Sequence, residues 1–290
     1  MHLDPGPLVV LAVLAAAVLH ATWNTIAHAA EDRLVGFALI CSATLVLGTV
    51  LIVVSAIAGE PVGWHYFWFA ALSAALHTAY VVLLMSSYEV ADLSRAYPLS
   101  RGTGVALVAI ASAALPRSPL GPDIVIGTGL VVAGLLGITF VGPRLTRTDL
   151  RGIALAMATG VAIAGYTVVD GLAVSGGAPL LAYAGWLIAL HSWVVPVYAV
   201  AKRGRGFWAI ARKQAAYGLT GGAVSLAAYG LVLLAQTSGA LAAVAALREL
   251  SIAIGVLLGA TLLHEALARK RLLPALVLTA GAVVLALGIA

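Results

Sequence analysis

Two stretches of this chain hold charged side chains where almost everything around them is apolar. In DLSRAYPLSRGTG, Asp92 to Gly104, Arg95, Pro98 and Arg101 fall in the first half of a helix-length apolar run. In ALAAVAALRELSIAIGVLLG, Ala240 to Gly259, Arg248 and Glu249 stand in the middle. Guanidinium and carboxylate groups are costly at bilayer depth unless they face a protein interior or a wet cavity, so each is a candidate for binding or coupling. The guanidinium fork fits carboxylate or phosphonate oxygens, and a carboxylate near an Arg in an apolar bundle can be balanced to exchange a proton. One such interruption in each half of the chain is what a transporter built from repeats would carry.

Depth selects among the polar residues. A helix rises about 1.5 Å per residue, so mid-membrane lies roughly ten residues from either end of a span. Arg101, Arg248 and Glu249 meet that condition, as do His20, His77 and His191. His20, Trp23 and Asn24 share one helix face by their spacing, and so do His77 and Tyr80. Those faces either line a cavity or supply hydrogen bonds between helices. Asp92 and Arg95 sit near a helix start, where Asp92 suits the helix dipole. Asp170 and His28 sit near span ends and are expected to be solvated. Adjacent on a helix, Arg248 and Glu249 diverge by about 100°, so they cannot satisfy each other fully. Glu249 is free to pair with Arg101, which would leave Arg248 in need of an anion or backbone carbonyls. Pro98 removes a backbone donor and is expected to bend its helix.

Several functions are excluded or disfavoured. There is no nucleophile elbow, no HExxH and no phosphate-binding Gly-Lys-Ser/Thr loop, so no catalytic site, metal or cofactor is expected and transport would have to be secondary. Cys41 is the only cysteine, which rules out an internal disulfide. The formal charge of +5 comes from few groups, all fitting lipid headgroup contact rather than nucleic-acid binding.

The elements that must position these residues are membrane helices. Hydrophobic residues make up 62% and charged ones 9%, against roughly 25% charged in soluble domains. Apolar runs recur about ten times, each near the length needed to cross roughly 30 Å of hydrocarbon. The spans read as Pro7–His28, Leu34–Ala58, Trp64–Val90, Ala91–Leu115, Asp123–Val141, Gly152–Val174, Pro179–Ala201, Ala215–Thr237, Ala240–Leu263 and Leu272–Ala290. The first run follows MHLDPGP, which lacks the basic start of a signal peptide and reads as a first membrane helix. Connections are short, except KRGRGFWAIARKQ, which reads as a short amphipathic segment lying at the interface. Trp64-His65-Tyr66-Phe67-Trp68 is interfacial-belt chemistry. The small-residue ridges Ala96/Ser100/Gly104, Ser251/Gly255/Gly259 and Gly129/Ala133/Gly137 read as packing surfaces.

The halves look like a repeat. Trp23 answers Tyr166, Tyr80 answers Tyr229, and Ala133-Gly134 answers Ala280-Gly281. An odd number of spans per half forces opposite insertion, which places a site between the halves near the midplane. The expected fold is therefore all-α and integral to the membrane, with about ten transmembrane helices as two inverted five-helix repeats, residues 1–142 and 143–290.

LHATWNTIAH, YEVADLSRAYPLSRG and AALRELSIAIGVLLGATLLHEALARKR together resemble the EamA-type branch of the drug/metabolite transporter superfamily. The resemblance spans the chain and implies a ten-helix bundle that moves small polar metabolites, often zwitterions, across the cytoplasmic membrane. Leu263–Glu265 is similar to the Leu-Gly-Glu that closes a family repeat, whereas Ala114–Arg117 in the first half has no acid.

Lys and Arg give the orientation. Arg33, Arg144, Arg147, Arg151, Lys202, Arg203, Arg205, Arg212, Lys213, Arg269, Lys270 and Arg271 fall on one side, against Arg117 on the other. The positive-inside rule then puts both termini outside the cytoplasm. The expected function is alternating-access transport of a zwitterionic or anionic solute at the cytoplasmic membrane, a bacterial inner membrane. Arg101, Arg248, His20, Trp23, Asn24, His77, Tyr80, Tyr166 and Tyr229 would bind the solute, and Glu249 would take the proton, with His77 second. Membrane lipids are the other expected partners, no nucleic acid is expected, and the chain would act as a monomer or homodimer. The competing expectations are an intramembrane enzyme acting on lipid-linked substrates and a non-transporting scaffold.

Overall fold

Long apolar helices leave a protein one problem in lipid, which is where to put its polar side chains. The computed structural model describes residues 6–28, 30, 32–90, 93–115, 121–141, 147–261 and 269–289 and solves it by turning them inward. Val46, Val50, Val53 and Val54 are exposed on one outer helix face, while Arg101, Asp170, Arg248, Glu249 and Gln236 are buried. That is the reverse of a water-soluble domain, where large exposed apolar surfaces are rare. No strand occurs among the described residues.

The helices are α1 (Pro7–His28), α2 (Arg33–Ile57), α3 (Trp64–Val90), α4 (Leu93–Ala113), α5 (Pro122–Phe140), α6 (Arg147–Ser175), α7 (Leu180–His191), α8 (Val194–Arg203), α9 (Gly206–Gln236), α10 (Leu241–Arg248), α11 (Leu250–Thr261) and α12 (Leu272–Ile289). Six apolar stretches are long enough to cross a membrane: one each in α2, α3, α5, α6 and α9, and one running through α7 and α8. Pro7–Trp23 of α1 and Leu272–Gly288 of α12 are apolar but shorter. The protein is a multi-pass, membrane-embedded helical bundle.

Two of the expected single spans are broken. The seventh breaks between α7 and α8, where Pro196 has no N–H to give the carbonyl of Ser192. The ninth breaks at Glu249, whose N–H bonds back to Ala246 O at 3.1 Å while Ile252 N–H reaches Glu249 O at 2.9 Å. These i→i−3 bonds tighten the chain locally, as 3₁₀ turns do. Pro98, by contrast, lies within a continuous α4.

The KRGRGFWAIARKQ segment is not a separate surface helix. From Gly206 onward it forms the first turns of the 31-residue α9. Phe207 and Ala211 are buried against Val35, Ala38 and Ala199, so the aromatic that suggested an interfacial position anchors α9 to α2 and α8. Asp32 caps the start of α2 by accepting from Leu34 N–H and Val35 N–H, and Arg203 pairs with it at 2.9 Å.

Neighbouring helices meet through glycine. α5 packs on α12 so closely that a Cβ on Gly281 would stand 2.6 Å from Gly127 O, and one on Gly134 would stand 2.6 Å from Leu278 N. α2 and α7 approach in the same way at Gly48 and Gly185. The expected Gly129/Ala133/Gly137 ridge is only partly right. Gly137 does meet Pro274, but Gly129 has nothing within 4 Å, because the face turned to α12 runs through Gly127, Val131 and Gly134. Gly104 packs as expected, against Ile163 of α6. The surroundings of Gly255 and Gly259 lie outside the described residues. α1 and α2 also pack on α9, α3 on α6 and α7, and α4 on α5 and α6. All eight residues of α10 are buried, half of them alanines, so it threads the middle of this assembly.

Candidate functional site

Helices from both halves of the chain bring polar groups together around one cavity of about 450 Å³. α1 contributes His20 and Trp23, α3 contributes His77 and Tyr80, α4 contributes Arg101, and α10 contributes Arg248. Tyr166 from α6, His191 and Ser192 from the α7 end, Thr44 from α2, and Ser225 and Tyr229 from α9 add to the polar lining. Most other lining residues are apolar, among them Phe37, Ile40, Val81, Leu226 and Val232. The cavity runs from mid-helix to Trp23, Leu34, Leu84 and Val195 near one end of the bundle. Toward the other end it stops at Ala16, Ile188, Val232 and the buried α10.

Arg101 is anchored by Glu249. Its Nε donates to Glu249 Oε2 at 2.7 Å, with both side chains almost fully buried. This is the pairing that the sequence offered as one option, and it gives the costly carboxylate a charged partner. Arg248 is farther from the same carboxylate, with its Nε 3.6 Å from Glu249 Oε1 and without a hydrogen-bond partner. Arg101 Nη2 also lacks a partner. Two guanidiniums thus share one carboxylate beside the cavity, leaving an excess of one positive charge and unmet donor capacity. The Arg101 guanidinium also lies 5.9 Å from the centroid of the Tyr97 ring.

A stack of rings forms the opposite wall. His77 lies on Tyr166 with centroids 3.8 Å apart and planes 25° apart, and on His191 at 5.1 Å. Tyr229 meets His77 edge-on at 5.5 Å, and Tyr80 meets Tyr166 edge-on at 5.9 Å. His77 Nδ1 donates to Ser73 O at 3.0 Å and His191 Nδ1 to Leu187 O at 2.9 Å. These bonds fix both rings and direct each Nε2 away from its own helix. Trp23 Nε1 donates to His20 Nδ1 at 3.2 Å, which holds those two side chains as a unit.

Eight of the nine residues expected to bind solute therefore line one cavity. The ninth, Asn24, has its side chain outside the described residues, as do Asp92, Arg95 and His28. Glu249 stands behind Arg101 and does not line the cavity. Residues 116–120 and 262–268, where the two repeat ends were compared, also lie outside the described residues.

Asp170 overturns its expectation. It is fully buried rather than solvated, and it accepts hydrogen bonds from Tyr183 Oη at 2.7 Å and from Tyr229 Oη. α6 extends the span that the sequence suggested, and Tyr183 and Tyr229 cover its last turns. A lone acid flanked by apolar residues, with two tyrosines in later spans, was the available signal. Thr44 and Ser192 were missed as well, and their hydroxyls meet 3.1 Å apart at the cavity wall.

No family model matches this chain, and no curated protein matches it. It is similar to a solved structure described as "Crystal structure of protein", with 18% identity over 96% of this chain and 97% of the other, at a TM-score of 0.70. At that identity the likeness concerns the fold.

Proposed function

We propose that this protein is a secondary transporter that carries a small zwitterionic or anionic organic solute by alternating access. The observation that carries the reading is the cavity itself. Its lining reaches Trp23, Leu34, Leu84 and Val195 toward one end of the bundle, stops at Ala16, Ile188 and Val232 toward the other, and comes from helices of both halves of the chain. Arg248 and Arg101 would hold a carboxylate or phosphonate, since charge-assisted bonds from a guanidinium fork are strong and directional. The ring wall of His77, Tyr166, Tyr80 and Tyr229 would take an amine or an apolar body, as aromatic faces attract cations.

Packing supports ten crossings in two inverted repeats, residues 1–142 and 143–290. If α6, α7–α8, α9, α10–α11 and α12 are the counterparts of α1 to α5, the partners exchange. The contact of α1 with α9 is answered by that of α6 with α3, and that of α2 with α9 by that of α7 with α3. α2 meets its own counterpart α7, and α5 meets α12. The proposal also retains the EamA-type resemblance and the cytoplasmic membrane as the location, with the cavity open to the basic, cytoplasmic side.

The test is flux. Labelled amino acids, phosphonates and quaternary amines are offered to proteoliposomes containing the full chain, and uptake and chemical identity are followed. Movement of an unmodified acid-bearing solute supports transport. Product formation without flux would favour an enzyme, and neither would favour a scaffold.

A further inference from the structure

Between the cavity floor and the closed end of the bundle, α6 buries Asp170 completely. Tyr183 on α7 donates to Oδ1, and Tyr229 on α9, itself a cavity residue, donates to Oδ2. One carboxylate thus joins three helices at the end through which the cavity does not open. α3 faces it with Ser73 and His77, and α7 adds His191. The charged groups on the other neighbouring helices, Arg101 of α4 and Arg248 of α10, lie beside Glu249 instead. No Lys or Arg lies within ion-pair distance of Asp170 among the described residues. Glu249 has a cation beside it, and Asp170 does not.

We propose that Asp170 is the proton-binding carboxylate of the transport cycle, and that its clamp on Tyr183 and Tyr229 is the gate at the closed end of the cavity. The inference rests on the transporter reading and adds its coupling. Taking an ionised carboxylate out of water without a cation is expensive, even when it is hydrogen-bonded. Opening this end lets water reach Asp170, so the ionised form gains more from opening than the neutral form does. A proton on Asp170 therefore holds the gate shut and keeps the cavity open at the opposite end. Loss of the proton leaves a buried charge that the bonds from Tyr183 and Tyr229 compensate only in part, so hydration drives this end open past them. Glu249 cannot serve in the same way while Arg101 compensates its charge.

Cys41 reads the switch without a known solute, because it is the chain's only cysteine and it lines the cavity. Its alkylation by a hydrophilic maleimide is timed in wild type and in Asp170→Asn, using the full chain in detergent from about pH 5 to pH 8. The ratio of the two rates cancels the thiol's own ionisation. Asp170→Asn keeps a neutral acceptor in place and stays shut at this end at every pH. The wild-type-to-variant ratio should start near one in acid and fall as pH rises. The fall approaches tenfold for each unit of difference in proton affinity between the open and shut gates, about 1.4 kcal/mol. Tyr183→Phe removes one strand of the clamp without touching the cavity lining, and should lower Cys41 labelling at all pH values. A flat ratio, or Tyr183→Phe labelling like wild type, overturns the gate while leaving the transport reading intact. If Asp170→Asn does not fold, a wild-type labelling rate that follows only that of the denatured chain across the same range overturns it too. Absence of any solute flux in wild type would instead strike the transport reading, and the Cys41 series would still report whether the gate moves.

Discussion

Thr44 and Ser192 stand 148 residues apart in the chain with their hydroxyls 3.1 Å apart, and Arg101 and Glu249 meet across the same separation of 148. Two pairs at one offset are what an axis exchanging the halves would produce, since residues on such an axis meet their own counterparts. Arg101 and Glu249 thus stand where the two halves touch, one supplying the cation and the other the acid. The exchange of helix partners across the bundle is what the proposed inverted repeats would give.

The ion pair is expected to be structural as well as electrostatic. Removing one member of a buried pair leaves the other charge without compensation, at a cost of about 3–5 kcal/mol. Arg101→Met alone should therefore lower the detergent-solubilised unfolding midpoint strongly, and Glu249→Gln should do so as well. The double variant Arg101→Met/Glu249→Leu should recover part of the loss, the rest remaining because Arg248 is left without the shared carboxylate. Additive losses in the double variant would show that the pair is not the source of the stability.

Arg248→Lys separates charge from geometry. The ammonium keeps the positive charge but not the planar fork that grips two oxygens. Binding of an acid-bearing solute should weaken by about tenfold, roughly 1.4 kcal/mol, with the unfolding midpoint nearly unchanged. Solute-dependent protection against thermal unfolding measures both quantities in one experiment. A variant that unfolds on its own, or a permanent cation without an acid group that protects best, would end the anion-site idea.

Much of this was legible in the sequence because membrane chemistry is blunt. Arg101, Arg248 and Glu249 stood out against apolar surroundings, and their depth alone brought Arg101 and Arg248 to one cavity. The start of α3 at Trp64 was readable because GEPVG just before it carries the Gly and Pro. Asp170 was not legible, since distance from a helix end says nothing about what two tyrosines elsewhere will cover. The breaks after His191 and at Glu249 were missed although Pro196 and the Arg248-Glu249 pair mark the two places, because each whole run has the length of a single span. Phe207 misled because an aromatic among basic residues looks the same whether it meets headgroups or, as here, Val35 and Ala38.

Glycine spacing between α5 and α12 gives a test of packing that is independent of the site. A side chain at Gly281 would meet Gly127 O at 2.6 Å and Val131 N at 2.7 Å, and backbone atoms cannot swing aside as a side chain can. Gly281→Val should cost about 1–3 kcal/mol, as overpacking does in cores. Gly129→Ala, which meets nothing within 4 Å, should be neutral or stabilising by up to about 1 kcal/mol. Equal destabilisation of both variants would mean that the α5–α12 contact is not formed in the membrane.

Orientation is the remaining prediction, and it rests on charge. Arg203 pairs with Asp32 at the start of α2, so the α8–α9 connection and the α1–α2 connection lie at one end of the bundle. That end also carries Lys202, Arg205, Arg212 and Lys213, and it is the end toward which the cavity opens. Basic connections are retained in the cytoplasm during insertion. A phosphatase active only outside the cytoplasm, fused after Ala290, should therefore be active, and one inserted between Arg203 and Gly206 should be silent. Cys41, reached through the open end, should react with a membrane-impermeant maleimide in inside-out vesicles about tenfold faster than in intact cells, the ratio expected if an energy difference near 1.4 kcal/mol favours the open end shown here. Activity of the Ala290 fusion only with a cytoplasmic reporter would reverse the orientation. The cavity would then open to the outside, and the gate at Asp170 would face the cytoplasm.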